Sequence, residues 1–341
     1  MGVYSERPGE AASQMLQLLN AHLTVQALHV AAALGLPDRL ADGPKTADTL
    51  AAETGAHPAS LYRVMRMLVG CGVFREEADD SFALSPLGAT LRSGGAESVR
   101  DWALYIGAPA IWRALERLPD AVRTGEPGFV LAHGMPVYEY MAQHSALGEV
   151  FDRWMTSQSD AHNAAIVAAY DFSPFRTVVD IGGGQGSTLA AILRSNATQR
   201  GILFDVPKVV AHVDLLTAAG VADRCTVVAG DMMEAVPGGG DAYVIKRVLM
   251  ILGDEQAIRV LKHCAGNLST SGKVLVIEMV MPRHNEPHPA RMFDLLMMVN
   301  NRAGRIRTEA EWRALFAAAG LRLTNLITTA SPNSILECSR A

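Results

Sequence analysis

The chain has 341 residues, enough for one large or two medium domains with a sizeable core. At 49% hydrophobic and 19% charged residues, with a formal net charge of -5, it reads as an ordinary globular protein with no electrostatic reason to seek nucleic acid or an anionic membrane. Its four cysteines, Cys71, Cys225, Cys264 and Cys338, stand far apart with no CxxC pair, so neither a zinc cage nor a disulfide framework is expected, and no other metal-ligand cluster stands out. The start, MGVYSERPGE, lacks a basic-then-apolar signal pattern, and no apolar run is long enough to span a bilayer. A reducing cytoplasm is the expected compartment.

From Ala11 to about Tyr170, apolar residues recur at three- and four-residue spacings, as in MLQLLNAHLTVQALHVAAALGL, which predicts helices and almost no strand. The segment TADTLAAETGAHPASLYRVMRMLVGCGVFREEADDSFALSP reads as helix, turn, helix and a short hairpin around Ala78 to Ser81, the outline of a winged helix. A winged helix raises the question of DNA. The would-be recognition helix, Pro58 to Val69, offers only Arg63 and Arg66, and the wing carries Glu76, Glu77, Asp79 and Asp80, which phosphates would repel. Nucleic acid is therefore not expected. The apolar helices from Met15 to Leu34 need a cover instead, and a second subunit is the expected one.

After Asp171 the period changes. TVVDIGGG, GILFDVP, CTVVAGD, DAYVIKRV and KVLVIEMVM are five short runs rich in Val and Ile, separated by helix-like segments. This alternation predicts an α/β fold with a Rossmann-like, doubly wound and mostly parallel sheet. The tail, LRLTNLITTASPNSILECSR, adds two strands joined by a turn at Ser331 to Asn333, so the sheet is expected to end in an antiparallel pair.

In VVDIGGGQGSTLAAIL a strand ends at Ile181, glycines make the turn, and a helix follows from about Ser187. Glycines let backbone amides approach a ligand closely, with a helix N-terminus behind them. Such a turn alone is as readily structural, but three features sharpen it. The third glycine of a dinucleotide fingerprint would fall at Ser187, so GxGxxG fails and GxGxG holds, which argues against NAD. Asp205 ends the second strand 23 residues beyond Gly182, where a carboxylate can accept both hydroxyls of a ribose. Asp231 beside Met232, at the end of the third strand, offers a polar and an apolar group to the amino edge and face of an adenine. Each acid alone is equally well a cap or a surface charge; at successive strand ends they make a nucleoside site.

The ordered motifs YDFS, VVDIGGGQG, LFDVP, GDMME, DAYVIKRVL and RTEAEWRALFAAAGL, behind a helical winged-helix segment, resemble the dimeric S-adenosylmethionine-dependent O-methyltransferases of plant phenolic and bacterial natural-product pathways. The resemblance covers nearly the whole chain. It implies an all-helical winged-helix dimerisation domain over 1–100, linking helices roofing the active site over 101–171, and a Rossmann-like domain binding S-adenosyl-L-methionine over 172–341. The protein is then a homodimer acting on a small molecule. The implied cofactor contacts are Asp180, Gly182, Gly184, Asp205, Val206, Asp231, Met232 and Lys246.

One family feature is missing. Four residues after the lysine matching Lys246, family members carry a histidine, usually in a His-Asp-Trp run, that takes the proton from the substrate hydroxyl; here stand Met250, Ile251 and Leu252. Of the two glutamates flanking that histidine in plant-type members, one corresponds to Glu278 and the other falls at Ile306. A phenol with a pKa of about 10 is only ~0.1% ionised at neutral pH, so its anion costs about 4 kcal/mol without a base. An acceptor that is already nucleophilic, such as a carboxylate, a neutral amine, an acidified phenol beside a carbonyl or an electron-rich ring carbon, escapes that deficit.

The resemblance makes Glu278 the best-placed substitute base, with Asp294 and His162 as further catalytic candidates and His133 from the roofing segment. Met155, Met250, Met292, Asn301 and Arg302 are the substrate-contact candidates, Arg302 and Arg305 being the cations for an acidic substrate. Trp154, Met297 and Met298 would extend a soft apolar wall, although methionine at helical spacing is as readily core. The expected activity is methyl transfer to O, N or C of a small aromatic, natural-product-like acceptor. The alternative is a protein that keeps the cofactor for decarboxylation, hydroxylation, cyclisation or a pericyclic step, with the sulfonium as a fixed charge.

Overall fold

The computed structural model describes residues 9–95, 97–211 and 213–341, less the side chains of residues 160 and 161. Two compact units emerge. One is the chain up to Arg113 with Met141–Ser157; the other is Ala114–Tyr140 with Gln158–Ala341. The helix Ser145–Ala169 contributes to both.

In the first unit, the helix Pro58–Gly70 buries Leu61, Met65 and Leu68, spaced so that all three share one face. They pack with Leu36, Leu50, Phe74 and Phe82 in a single apolar cluster. The preceding helix, Ala47–Thr54, starts where the Thr46 hydroxyl accepts the Thr49 N–H at 3.2 Å. The hairpin expected around Ala78 to Ser81 is present, with β2 (Phe74–Glu76) and β3 (Ser81–Leu84) flanking it. The short strand β1 (Lys45–Thr46) pairs with β3 to give the order β1-β3-β2. That makes the N-terminal unit helical with a small sheet rather than all-helical, because two residues are too few to show an alternating pattern. The helix Glu10–Ala33 is exposed over its first fourteen positions, and Met15, Leu16, Leu18, Leu19 and Leu23 there are 55–71% exposed.

The second unit holds a seven-stranded sheet. Its strands are β4 (Thr177–Ile181), β5 (Arg200–Asp205), β6 (Cys225–Ala229), β7 (Ala242–Lys246), β8 (Lys273–Glu278), β9 (Leu321–Thr328) and β10 (Ser334–Arg340), in the order β6-β5-β4-β7-β8-β10-β9. The first five are parallel, and β10 slots antiparallel between β8 and β9. Successive residues of a strand face opposite sides, and both sides are apolar here. Val179, Tyr243, Ile245 and Val276 enter one core with Val260, Trp312 and Phe316; Val178, Val244, Leu275 and Ile277 enter the other with Leu189 and Ile192. Doubly covered strands explain the unbroken Val and Ile runs. The parallel strands also send all their carboxyl ends to one edge, where the chain reverses between β4 and β7, and ligands bind at such an edge. Among the described residues, no helix is long and apolar enough to cross a membrane.

Candidate functional site

The turn after β4 is set by glycine conformation. Gly182 (φ 65) and Gly184 (φ 61) lie in the left-handed region, and a Cβ at Gly182 would come 2.8 Å from Val248 Cγ2. A Cβ at Gly184 would meet nothing within 4 Å, so the loop is open on that side. Asp205, the last residue of β5, is anchored to this loop: Oδ2 accepts the Gly184 N–H at 2.9 Å and Oδ1 accepts the Val206 N–H at 2.7 Å. Each oxygen keeps a lone pair for a further donor. Asp180 lies beneath, 1% exposed, with Oδ2 lacking any hydrogen-bond partner. Burial raises its pKa to about 6 against the pull of the Lys246 ammonium.

Lys246 ends β7. Its Nζ donates to Asn163 Oδ1 at 2.7 Å, and Asn163 in turn donates to Ser187 Oγ (2.8 Å) and accepts from Thr188 Oγ1 (3.1 Å). This network ties β7 to the start of the helix Ser187–Ser195. Asp231 follows β6 and accepts the Met233 N–H at 2.8 Å, while Met232 packs partly buried against the core. An open glycine loop, a carboxylate held at its rim and an orphaned buried oxygen behind it fit a nucleoside-type group.

Beyond Lys246 the chain enters a single 3₁₀ turn, Leu249–Ile251. Arg307, fully buried, clamps that turn by donating to the carbonyls of Leu249 and Leu252, both at 2.8 Å, and to Asp254 Oδ1. Its guanidinium also lies 5.3 Å from the Trp312 ring centre. Met250 is thereby pinned inward, 4% exposed, in an apolar cluster with Met279, Ala290, Met297 and Ile306. Met250 and Ile306, the positions that the resemblance pairs with a histidine and a glutamate, therefore belong to one apolar cluster.

Glu278, the last residue of β8, is completely buried. Its Oε1 accepts the Met250 N–H at 3.2 Å and its Oε2 has no partner. Burial pushes its pKa up to about 7, opposed by the Met250 N–H and by the Arg247 and Arg307 charges. A carboxyl poised there can hold or release a proton at neutral pH.

Several expectations need correction. His162 is buried, and burial together with the Arg247 and Lys246 charges lowers its pKa to about 4. The ring is uncharged at neutral pH and too weakly basic to serve as a general base; its Nδ1 lies 3.3 Å from Asn333 Nδ2, which holds it as a structural group. Arg302 is largely exposed and paired with Glu126, while Arg305 is held by Asp254 and Glu311, both at 2.7 Å. Neither is a free cation for an acidic substrate. Met292 is 54% exposed and lies outside the Met250 cluster, which takes Met297 from that helix instead. Asp294 accepts the Ile306 N–H at 2.8 Å, and Asn301 Nδ2 lies 3.6 Å from Met297 Sδ. His133 packs against the rings of Phe129 and Tyr140. Met155 and Trp154 belong to the other unit, where Trp154 stacks on Trp102.

The sequence reading missed Asn163, Arg307, Asn333 and Arg247. The basic residue of the RTEAEW motif, just before the Thr308–Glu311 capping box, was the available signal for Arg307. Nothing local marked the others.

A family model of the O-methyltransferase domain matches residues 115–322, and one of the O-methyltransferase dimerisation domain matches residues 16–94. A phenazine O-methyltransferase from Lysobacter antibioticus is 41% identical over 326 residues, covering 95% of each chain. A mitomycin biosynthesis 6-O-methyltransferase from Streptomyces lavendulae is 39% identical, covering 98% of each. The crystal structure of a methyltransferase of calicheamicin biosynthesis in its SAH-bound form superposes with a TM-score of 0.87 at 35% identity, covering 99% of this chain and all of that one.

Proposed function

The chain belongs to the O-methyltransferase family, whose cofactor is S-adenosylmethionine, and on that premise we propose that it methylates a small aromatic acceptor with Glu278 taking the acceptor's proton. The observation that carries this is the buried Glu278 carboxyl, one oxygen fixed by the Met250 N–H and the other unpartnered. When bound, S-adenosylmethionine supplies a methyl group on positive sulfur, open to in-line displacement without a covalent enzyme intermediate. Asp205 would take the ribose hydroxyls, Gly182, Gly184, Val206 and Asp180 would frame the loop, Asp231 and Met232 would meet the adenine, and Lys246 would complete the site. Decarboxylation, hydroxylation, cyclisation and a pericyclic step with the cofactor retained are not favoured, since the relatives above are methyltransferases.

Magnitudes decide whether Glu278 suffices. An ordinary glutamate lies about 6 units below a phenol, a proton transfer uphill by roughly 8 kcal/mol. Pushed up to about 7, Glu278 accepts the proton at a cost of ~4 kcal/mol, no more than the free anion costs at neutral pH, so it gives the proton a nearby destination without adding a penalty. Holding the acceptor in line offers ~7 kcal/mol or more through proximity, which outweighs that cost. The Met250 cluster packs beside the carboxyl, to which Met250 donates its N–H.

Met250→His tests the pocket. An imidazole at a 4%-exposed position among Met279, Met297 and Ile306 loses packing and must find hydrogen-bond partners, at a cost of roughly 1–3 kcal/mol. Native turnover is expected to fall several-fold. Turnover that rises instead, with a new inflection near the imidazole pKa of about 6.5, would assign the base role to position 250.

We further assign a homodimer built on the helix Glu10–Ala33, whose exposed Met15, Leu16, Leu18, Leu19 and Leu23 need a cover. The double change Leu19→Asp, Leu23→Asp is expected to yield monomers in sedimentation velocity at micromolar concentration, while the wild type sediments as a dimer. An unchanged sedimentation coefficient would move the interface elsewhere. With all four cysteines unpaired, a reducing cytoplasm is the compartment this reading assigns.

A further inference from the structure

Arg247 is the least explained residue of the second unit. It follows Lys246 directly, yet its backbone is left-handed (φ 56), a conformation costly for a residue with a Cβ and found most often where function over-determines the chain. Its Nε is out of solvent without a hydrogen-bond partner, and among the described residues no ion pair holds its guanidinium. Burial lowers its pKa, opposed by the Glu278 carboxyl, while the neutral Tyr138 hydroxyl and the uncharged His162 ring are also nearby. Arg247 is half-buried with its Nε out of solvent, and a buried carboxyl that titrates near neutral pH is the acid beside it, so an anion arriving at the guanidinium would gain a charge that is only partly compensated.

The left-handed turn also separates the two successive cations. Lys246 donates to Asn163, whose amide in turn bonds Ser187 and Thr188 on the side of the glycine loop. Arg247 lies instead by the end of β8, where Glu278 Oε2 and Asn333 Oδ1 are likewise buried and unpartnered. Arg247, Glu278 and Asn333, which follow β7, end β8 and precede β10, thus each keep one buried side-chain atom without a hydrogen bond.

We propose that Arg247 is a substrate-binding residue that grips an acidic oxygen of the acceptor: a carboxylate, or an ionised hydroxyl beside a carbonyl, on the ring that carries the methyl-accepting group. This rests on the methyl-transfer reading for the identity of the bound molecule. The planar fork of Arg247 matches such an oxygen pair and sets the neighbouring hydroxyl toward Glu278. The cationic handle that Arg302 and Arg305 do not provide is supplied from β7.

The test is calorimetric, with the full-length protein loaded with S-adenosylhomocysteine and titrated with 1-hydroxy-2-naphthoate and, separately, with neutral 1-naphthol. Wild type is expected to bind the acid about 10- to 100-fold more tightly than 1-naphthol. Arg247→Met should abolish that preference while leaving 1-naphthol and S-adenosylhomocysteine affinities unchanged, and Arg247→Lys should keep part of it. No preference for the acid in wild type, or a preference that survives in Arg247→Met, overturns the proposal. So does a loss of S-adenosylhomocysteine affinity in Arg247→Met with 1-naphthol binding retained, which would give the guanidinium to the cofactor's own carboxylate. If the preference behaves as expected but no demethylated cofactor forms with any acidic acceptor, the binding assignment stands and the methyl-transfer reading fails.

Discussion

Glu278→Gln is expected to reduce turnover by about 100-fold or more, the usual contribution of a positioned general base, while S-adenosylhomocysteine affinity stays within about twofold of wild type. The substitution keeps shape and the acceptor for the Met250 N–H but removes the ability to take a proton. In the wild type the rate should rise about tenfold per pH unit below about 7 and level off above it, and the variant should lack that inflection. Stability supplies an independent check. The folded-state pKa of Glu278 is raised from its ordinary 4.5 to about 7, so the native state binds the proton more tightly than the unfolded chain does. The stability this contributes is fully present below about pH 4.5 and is lost as pH rises through about 7. Glutamine cannot ionise, so at pH 8 Glu278→Gln should melt no lower than wild type. A variant that keeps full turnover would remove Glu278 as proton acceptor; one that loses turnover and also melts much lower would show a structural defect instead.

Asp205→Ala is the second large effect. The carboxylate accepts the N–H groups of Gly184 and Val206 and, in the proposed site, both ribose hydroxyls. Removing it leaves two hydroxyls unpaired in the complex, at about 1–3 kcal/mol each, and frees the glycine loop from its anchor. Cofactor affinity by calorimetry is expected to fall roughly 100-fold. Asp205→Asn, which keeps one carbonyl acceptor, should fall between the two. Unchanged affinity in the alanine variant, with native circular dichroism, would take the ribose role away from this residue.

Much of this molecule is legible locally. The Val and Ile runs of β4, β5, β7 and β8 are apolar on both faces, which only a doubly covered parallel sheet satisfies, and the observed strands follow those runs. The glycine turn between Ile181 and Ser187, with Asp205 at the next strand end, is legible because a close backbone approach and a carboxylate at a strand end depend on residue type and spacing alone. The loss of the expected histidine is equally a matter of which residue stands at position 250.

The remainder depends on residues distant in the chain. That β10 inserts between β8 and β9 follows from which edge of the sheet is left to cover, not from the pattern of the tail itself. Met250 and Ile306 share one apolar cluster, and Arg307 holds the turn that buries Met250; neither relation has a local signature. The charges behave likewise. Arg302 and Arg305 are cations in sequence, but folding brings Glu126, Asp254 and Glu311 to them, whereas Arg247 meets no such partner among the described residues. Glu278 and His162 carry ordinary side chains whose pKa values move in opposite directions, to about 7 and about 4, because burial penalises whichever form is charged. The sequence determined the fold class, the glycine turn after β4 and the methionine at position 250, since periodicity, glycine spacing and residue identity are local. Only the tertiary structure decided which acid is pushed toward neutral pH and which cations are paired, since desolvation and charge pairing are set by what the fold packs around each group.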